Sequence, residues 1–318
     1  MGTMSADQPS HHGTKSFTRV FNPSWILENP KYLQILLLVP VLVFFIVWNV
    51  IPLLWLMGLS FYRYALVTGM PLRFVGLTNF MDIMTDPDIW HALSNTFLFV
   101  ILGAGTQTIL GILLGFLFWK SKDLPGRRIA LTLMFTPMVM APLATGSFFK
   151  IIYDPVFGIL NYFILSAFGT TIDFLGSSSW AFFSVLLVDT WMWTPFMMMM
   201  CLAALGSVPK AELEAAEIEN LSMLQRVVHV ILPHGKFILM LGILLRTIDA
   251  FKSMDIIFTM TRGGPGNITE LIGLTLYRQA FNAFTMGKAS ALAIISLMIA
   301  ISFTSIYLYV LKMREEAA

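Results

Sequence analysis

Ser207-Val208-Pro209-Lys210-Ala211-Glu212-Leu213-Glu214-Ala215-Ala216-Glu217-Ile218-Glu219-Asn220, continuing through 221–229 to Val230-Ile231-Leu232-Pro233, is a polar interval between two long apolar runs. Pro209 suits a first helical turn and Ser207 suits a cap. Glu212, Glu214, Glu217 and Glu219 favour the positive end of a helix and keep it in water. Ala215 and Ala216 are small, so another surface can approach the backbone closely. Pro233 removes a donor and is expected to stop or kink the chain before the next run. The stretch predicts a short helix held in a loop, either a docking element or an ordinary amphipathic connector.

The runs on either side belong to a series. Of 318 residues, 57% are hydrophobic and 12% charged, against roughly 25% charged in a soluble domain. The apolar residues are concentrated in runs at 33–61, 93–119, 129–149, 180–205, 237–260 and 289–311. Each exceeds the about 20 residues that cross about 30 Å of hydrocarbon. Spans in lipid satisfy their backbone groups internally, so they are helices. The fold class expected is an all-α integral membrane protein with six transmembrane helices. The first run is too long for the core of a cleaved signal peptide; Pro40 and Pro52 are expected to bend it. Pro137 and Pro142 interrupt the third run. The apolar segment 159–168 is too short to span and suits the interface. The expected segments are a cytoplasmic N-terminal tail over 1–30, a first transmembrane helix over 31–62, and a core over 91–312. That core holds five transmembrane helices and the loop 206–235.

Basic residues set the orientation. One side would hold Lys15, Arg19, Lys31, Lys120, Lys122, Arg127, Arg128, Lys210, Arg226, Lys236, Lys312 and Arg314. The other would hold Arg63, Arg73, Lys150, Arg262, Arg278 and Lys288, half as many. The richer side is cytoplasmic, which puts both termini and the loop 206–235 there. The single cysteine, Cys201, allows no disulfide within one chain.

Arg246, Asp249, Lys252 and Asp255 follow at intervals of three in the fifth run. Residues i and i+3 share a helical face, so they predict an alternating ladder. Each charge at mid-membrane costs about 2.5–3.5 kcal/mol on the insertion scale, so the four must pair and face a bundle interior or a wet cavity. The ladder is either structural or part of a solute path, and Asp189 in the fourth run poses the same choice. Trp191, Trp193 and Pro195 follow it, then Phe196 and Met197 to Met200. Aromatic faces suit the C–H faces of sugars, although such a cluster also serves plain packing. The solute-path candidates are Asp189, Trp193, Arg246, Asp249, Lys252 and Asp255.

Glu214-Ala215-Ala216, Asn220 four positions on, and Val230-Ile231-Leu232-Pro233 resemble the loop of permease subunits of ATP-binding-cassette importers. Asn220 stands where that family usually has Gly, and Val230 where it has Ile. Asn is the next-best residue for a positive φ. A second stretch, Thr261-Arg262-Gly263-Gly264-Pro265 leading to Thr269, Tyr277 and Ala280-Phe281, resembles the sugar-type permeases of those importers, the maltose and glycerol-phosphate systems among them. Asn95-Thr96, and 126–161 with Asp154-Pro155 and Gly158, follow the same pattern. The resemblance implies a type I importer permease fold in the bacterial inner membrane. It implies a coupling role for Glu214, Ala215, Ala216, Asn220, Leu232 and Pro233. It also implies partners: a second permease subunit in a heterodimer, two ATPase subunits carrying ATP and Mg, a periplasmic solute-binding protein, and membrane lipid.

The chain has no Gly-x-x-x-x-Gly-Lys-Ser/Thr loop, so it is expected to hydrolyse no ATP and bind no cofactor itself. Neither a nucleophile elbow nor a His-Glu-x-x-His metal site occurs, and no nucleic-acid partner is expected. The function expected is that of a permease subunit importing a sugar or related polar carbohydrate by alternating access. The alternative is a partner-free secondary transporter or channel that uses the charged fifth helix.

Overall fold

The computed structural model describes residues 30–66, 71–120 and 124–316. The expected tail over 1–30 therefore lies outside the described residues except for Pro30, as do Lys15, Arg19 and Lys122. The chain divides into two units, Met1–Leu56 and Met57–Ala318.

In the first unit α1 (Pro30–Phe45) passes through a π turn, Ile46–Val50, into α2 (Ile51–Leu59). The turn sits immediately before Pro52. Proline lacks the N–H and its ring crowds the carbonyl four residues back; widening the ladder by one residue relieves that clash. Ile51 N–H accordingly reaches Ile46 O, five residues back. The helix Leu33–Leu59 is continuous, apolar and long enough to span. Leu37, Phe44 and Trp55 on it are exposed.

After the last residues of α2, which fall in the second unit, comes an antiparallel ribbon, β1 (Tyr62–Arg63) with β2 (Arg73–Phe74), a small exception to the all-helical expectation. Then come α3 (Thr78–Met84) and α4 (Pro87–Lys120), followed by α5 (Arg127–Val139) and α6 (Pro142–Ile152). After these run α7 (Ile159–Phe168), α8 (Ala181–Gly206), α9 (Lys210–Ile218) and α10 (Met223–Arg226). A π turn, Val227–Ile231, joins α10 to α11 (Leu232–Phe251), which precedes α12 (Asp255–Met260) and α13 (Ile272–Tyr277). A last π turn, Arg278–Asn282, leads to α14 (Met286–Glu316). Among the described residues five stretches are long and apolar enough to cross a membrane: Leu33–Leu59, Pro87–Lys120, Ala181–Gly206, Val227–Met260 and Met286–Tyr309.

The sixth is not straight. α5 and α6 meet at 98°. Met140 and Ala141 are extended, with ψ of 145° and 132°; Ala141 precedes Pro142, whose ring disfavours the helical region for it. Pro142 then opens α6. Pro233 departs from expectation in the other direction. It neither stops nor sharply ends the helix, because the π turn before it absorbs the missing donor; Leu232 N–H reaches Val227 O. The fifth span also differs from one unbroken ladder, since α11 ends at Phe251 and α12 starts at Asp255.

α4 and α8 pack along one another more extensively than any other pair. Glycine permits it. A Cβ on Gly111 would lie 2.5 Å from Met197 Cβ, and one on Gly115 would lie 2.7 Å from Cys201 Cβ. Ile109, Leu113 and Leu117 are exposed on the same helix, an apolar stripe suited to hydrocarbon. One buried cluster gathers Phe99, Val185, Val188, Met192, Ile256 and Leu271. Another gathers Cys201, Leu205, Val208 and Ile231, with Leu213 of α9 against it.

Candidate functional site

α9 has one packed face and one open face. Leu213 packs on the cluster around Leu205, and Ala216 is buried. Glu214 and Ala215 are exposed, and Ile218 is 81% exposed. The two alanines thus differ: Ala215 is open to a partner, while Ala216 is small because its own bundle requires it. Ser207 does not cap this helix; its hydroxyl donates to Ala204 O at 2.7 Å, and Pro209 occupies the N-cap. Ser207 is still within reach of the last turn of α8, which claims it.

The C-terminus of α9 explains Asn220. Asn220 N–H donates to Glu217 O at 3.0 Å and Leu221 N–H to Ala216 O at 3.1 Å. These are the paired bonds of a Schellman motif, whose C′ residue is left-handed. Asn220 is that residue, with φ +54°. An ion pair, Arg226 to Glu217 at 3.0 Å, and a contact of His234 Nε2 with Glu212 Oε1 at 3.2 Å join the loop to the next helices. Leu232 and Pro233 are exposed at the start of α11.

The charges of the fifth span form a chain across three helices. Asp189 (α8) and Arg246 (α11) have side chains only 1% exposed and are ion-paired through Asp189 Oδ2. Gln107 of α4 completes the join. Its carbonyl accepts from Arg246 Nε at 2.5 Å, and its amide donates to Asp189 Oδ2 at 2.9 Å and Asp189 O at 3.2 Å. Only this orientation of the amide satisfies both neighbours, since guanidinium only donates and carboxylate only accepts. Arg246 Nη1 donates to Asp249 Oδ2 at 3.1 Å, and Lys252 Nζ lies 3.4 Å from Asp249 Oδ1. The ladder ends at Lys252. Asp255 opens α12, beyond the break, and makes no ion pair among the described residues.

A cavity of about 590 Å³ lies beside this chain of charges, lined by Trp193, Asp249, Lys252, Ser253, Asp255 and Ser296 among others. Of the six solute-path candidates, Trp193, Asp249, Lys252 and Asp255 face it, whereas Asp189 and Arg246 lie behind it. Trp193 links the two sets, its ring centroid 5.2 Å from Arg246 Cζ, within cation–π reach. Gln107 escaped the sequence reading. The available signal was an uncharged polar side chain in a long apolar run, which needs a buried partner.

On the side expected to be periplasmic, Asn95 and Thr96 hold the loop that carries Gly263-Gly264-Pro265. Asn95 Nδ2 lies 3.2, 3.0 and 3.2 Å from the carbonyls of Asn267, Ile268 and Glu270. Thr96 Oγ1 accepts from Ile272 N at 2.9 Å. Glu270 pairs with Arg278 at 3.0 Å. Burial pushes its carboxyl above the usual range, and the Arg278 charge works against that. Two stretches more than 170 residues apart are therefore one structural unit.

A polar helix in a loop, a bundle of spans and a cavity bearing three charged side chains are the features of a membrane permease subunit. Residues 107–313 match the family described as "Binding-protein-dependent transport system inner membrane component", and the chain belongs to that family. The trehalose/maltose transport system permease protein MalF of Thermococcus litoralis is 33% identical over 90% of this chain and 94% of its own. The sulfoquinovosyl glycerol transport system permease protein SmoG of Agrobacterium fabrum is 28% identical over 92% and 94%. The sn-glycerol-3-phosphate transport system permease protein UgpA of Yersinia pestis is 26% identical over 90% and 94%. Among solved structures, a bacterial importer of the acidic polysaccharide alginate superposes with a TM-score of 0.73 at 17% identity, over 91% of this chain and 98% of that one. The resemblance seen in the sequence thus holds, as does the type I permease fold. The chain is a multi-pass inner-membrane transport subunit, with ATP hydrolysis supplied by separate subunits.

Proposed function

We propose that this chain is one half of a two-permease pore that moves a sugar or related polar carbohydrate from periplasm to cytoplasm by alternating access. The relatives named for trehalose/maltose and sulfoquinovosyl glycerol support the solute class. A second, different permease subunit would complete the pore. Two ATPase subunits would carry ATP and Mg, and a periplasmic binding protein would deliver solute. The alginate importer has been solved with such a periplasmic protein bound. The charge asymmetry of the loops supports cytoplasmic termini and a cytoplasmic loop 206–235.

The observation that carries this proposal is the open face of α9. A helix anchored by Leu213 and Ala216, tied by the Arg226–Glu217 ion pair and the His234–Glu212 contact, and exposing Glu214, Ala215 and Ile218 is built to be pushed as a rigid peg. Asn220 keeps its end closed, and Leu232-Pro233 continue it into the fifth span, so that a displacement of α9 reaches α11. On this proposal Trp193, Asp249, Lys252 and Asp255 face the solute path. An ion relay along the fifth span, the partner-free alternative, would need accessible charges, and Asp189 and Arg246 are sealed by one another.

The test is reconstitution with the partner subunits carrying Glu214→Lys and Ala215→Asp together. Both residues are exposed, so the permease should still fold. Solute uptake and binding-protein-stimulated ATP hydrolysis are expected to be lost. Normal coupling in that double variant would sink the docking role.

A further inference from the structure

The cavity beside α11 carries three charged side chains, Asp249, Lys252 and Asp255, in a mostly apolar lining, and one of the two cations in that region is withheld from it. Arg246 is enclosed: its Nε goes to Gln107, one Nη to Asp189 and the other to Asp249. Its outer face meets the ring of Trp193. Lys252 does reach the cavity, but Asp249 stands 3.4 Å from its ammonium. Asp255, also on the wall, has no cation within ion-pairing distance among the described residues. Counted together, Asp189, Asp249 and Asp255 outnumber Arg246 and Lys252 by one negative charge.

We infer that Gln107 and Asp189 are positioning residues that keep the Arg246 charge out of the solute path. The cavity wall is thereby net negative, and it admits uncharged, hydroxyl-rich solutes in preference to phosphorylated, sulfonated or uronic ones. This rests on the cavity being this chain's share of the path. Carboxylates at Asp249 and Asp255 accept hydrogen bonds from sugar hydroxyls, while an anionic solute would meet like charge in a partly desolvated space, where repulsion is less screened than in bulk water. Asp189 is the balancing charge. Without it Arg246 keeps its positive charge, and the field at the wall changes by a full unit. Gln107 does a different task. Occupying Nε and Asp189 together, it fixes the guanidinium in the one orientation that leaves Asp249 Oδ1 free to hold Lys252.

The field can be read without knowing the solute. Ser253 lines the cavity, and a Ser253→Cys reporter in the full importer can be labelled with two methanethiosulfonates, one bearing trimethylammonium and one bearing sulfonate. The protein without the reporter is the control for Cys201, which is buried. The cationic reagent is expected to react faster relative to its rate with a free thiol. Asp189→Asn is expected to move the rate ratio about fivefold to tenfold toward the sulfonate, the effect of one unit charge on two opposite probes in a mostly aqueous dielectric. An unchanged ratio in Asp189→Asn, alongside a shifted ratio in Asp249→Asn, would overturn the role of Asp189. Should Asp189→Asn fail to assemble, the unaltered wall and Lys252→Met decide. The ratio must favour the cation, and Lys252→Met must favour it further; a ratio favouring the sulfonate overturns the inference. Labelling is done without ATP, so a failure of coupling at α9 leaves this result untouched.

Discussion

Leu221 N–H donates to the carbonyl of Ala216 at 3.1 Å, and that bond closes α9 only because Asn220 between them turns left-handed. The geometry makes a prediction about substitution. Asn220→Gly is expected to be neutral or slightly stabilising, since Gly adopts positive φ without a Cβ penalty. Asn220→Val is expected to cost about 1–2 kcal/mol locally. Amide hydrogen exchange across 216–222 checks it: protection of Leu221 should fall in the Val variant and persist in the Gly variant.

Ala215 and Ala216 are neighbours in sequence with different surroundings. Ala216→Leu must force a larger side chain into a position that is already buried, at about 1–3 kcal/mol for an overpacked site. Ala215→Leu faces solvent in the isolated subunit, where its effect on thermal stability in detergent should be small. Equal losses in the two variants would contradict the packing assigned to α9.

The pair formed by Asp189 and Arg246 is sealed from solvent, so removing one partner leaves a buried charge alone. Arg246→Met is expected to destabilise by about 3–5 kcal/mol. Combining it with Gln107→Leu and Asp189→Leu should recover much of that loss, because the replacements are apolar and no buried polar group is left unpartnered. Thermal unfolding of the single and triple variants in one detergent measures the difference.

Much of this was legible in the sequence because membrane spans announce themselves by length and composition. Four apolar runs became single helical stretches, the fifth is interrupted at 252–254, and the turn at Asn220 was readable from the residue's tolerance of positive φ. Prolines were read less well. Pro142 turned the chain by 98°, whereas Pro233 was absorbed by a π turn, and local sequence does not tell these outcomes apart. The i, i+3 spacing placed Arg246, Asp249 and Lys252 correctly, but it presumed an unbroken helix and so carried Asp255 one step too far. Gln107 was missed because its role depends on two helices distant in sequence. Periodicity within a helix identifies faces; it does not say which faces meet.

Asp86 and Lys288 join the start of α4 to the start of α14 at 2.8 Å, and this pair gives stability a pH dependence. The Lys288 hydrogen bond holds the Asp86 carboxyl below its ordinary value of 3.8. Asp88 N–H adds to that effect as Asp86 caps α4, at 3.1 Å. A depressed folded pKa means the stabilisation is present above the unfolded value and is lost as pH falls through the folded one. The side chains are 26% and 30% exposed, so the pair contributes about 0.5–1 kcal/mol after solvent screening. Lys288→Met should therefore lower the unfolding midpoint at pH 7, and the gap from the unmodified protein should close as the pH falls through and below the depressed Asp86 pKa. A gap that stays constant over that range would mean that Lys288 acts through packing and not through its charge.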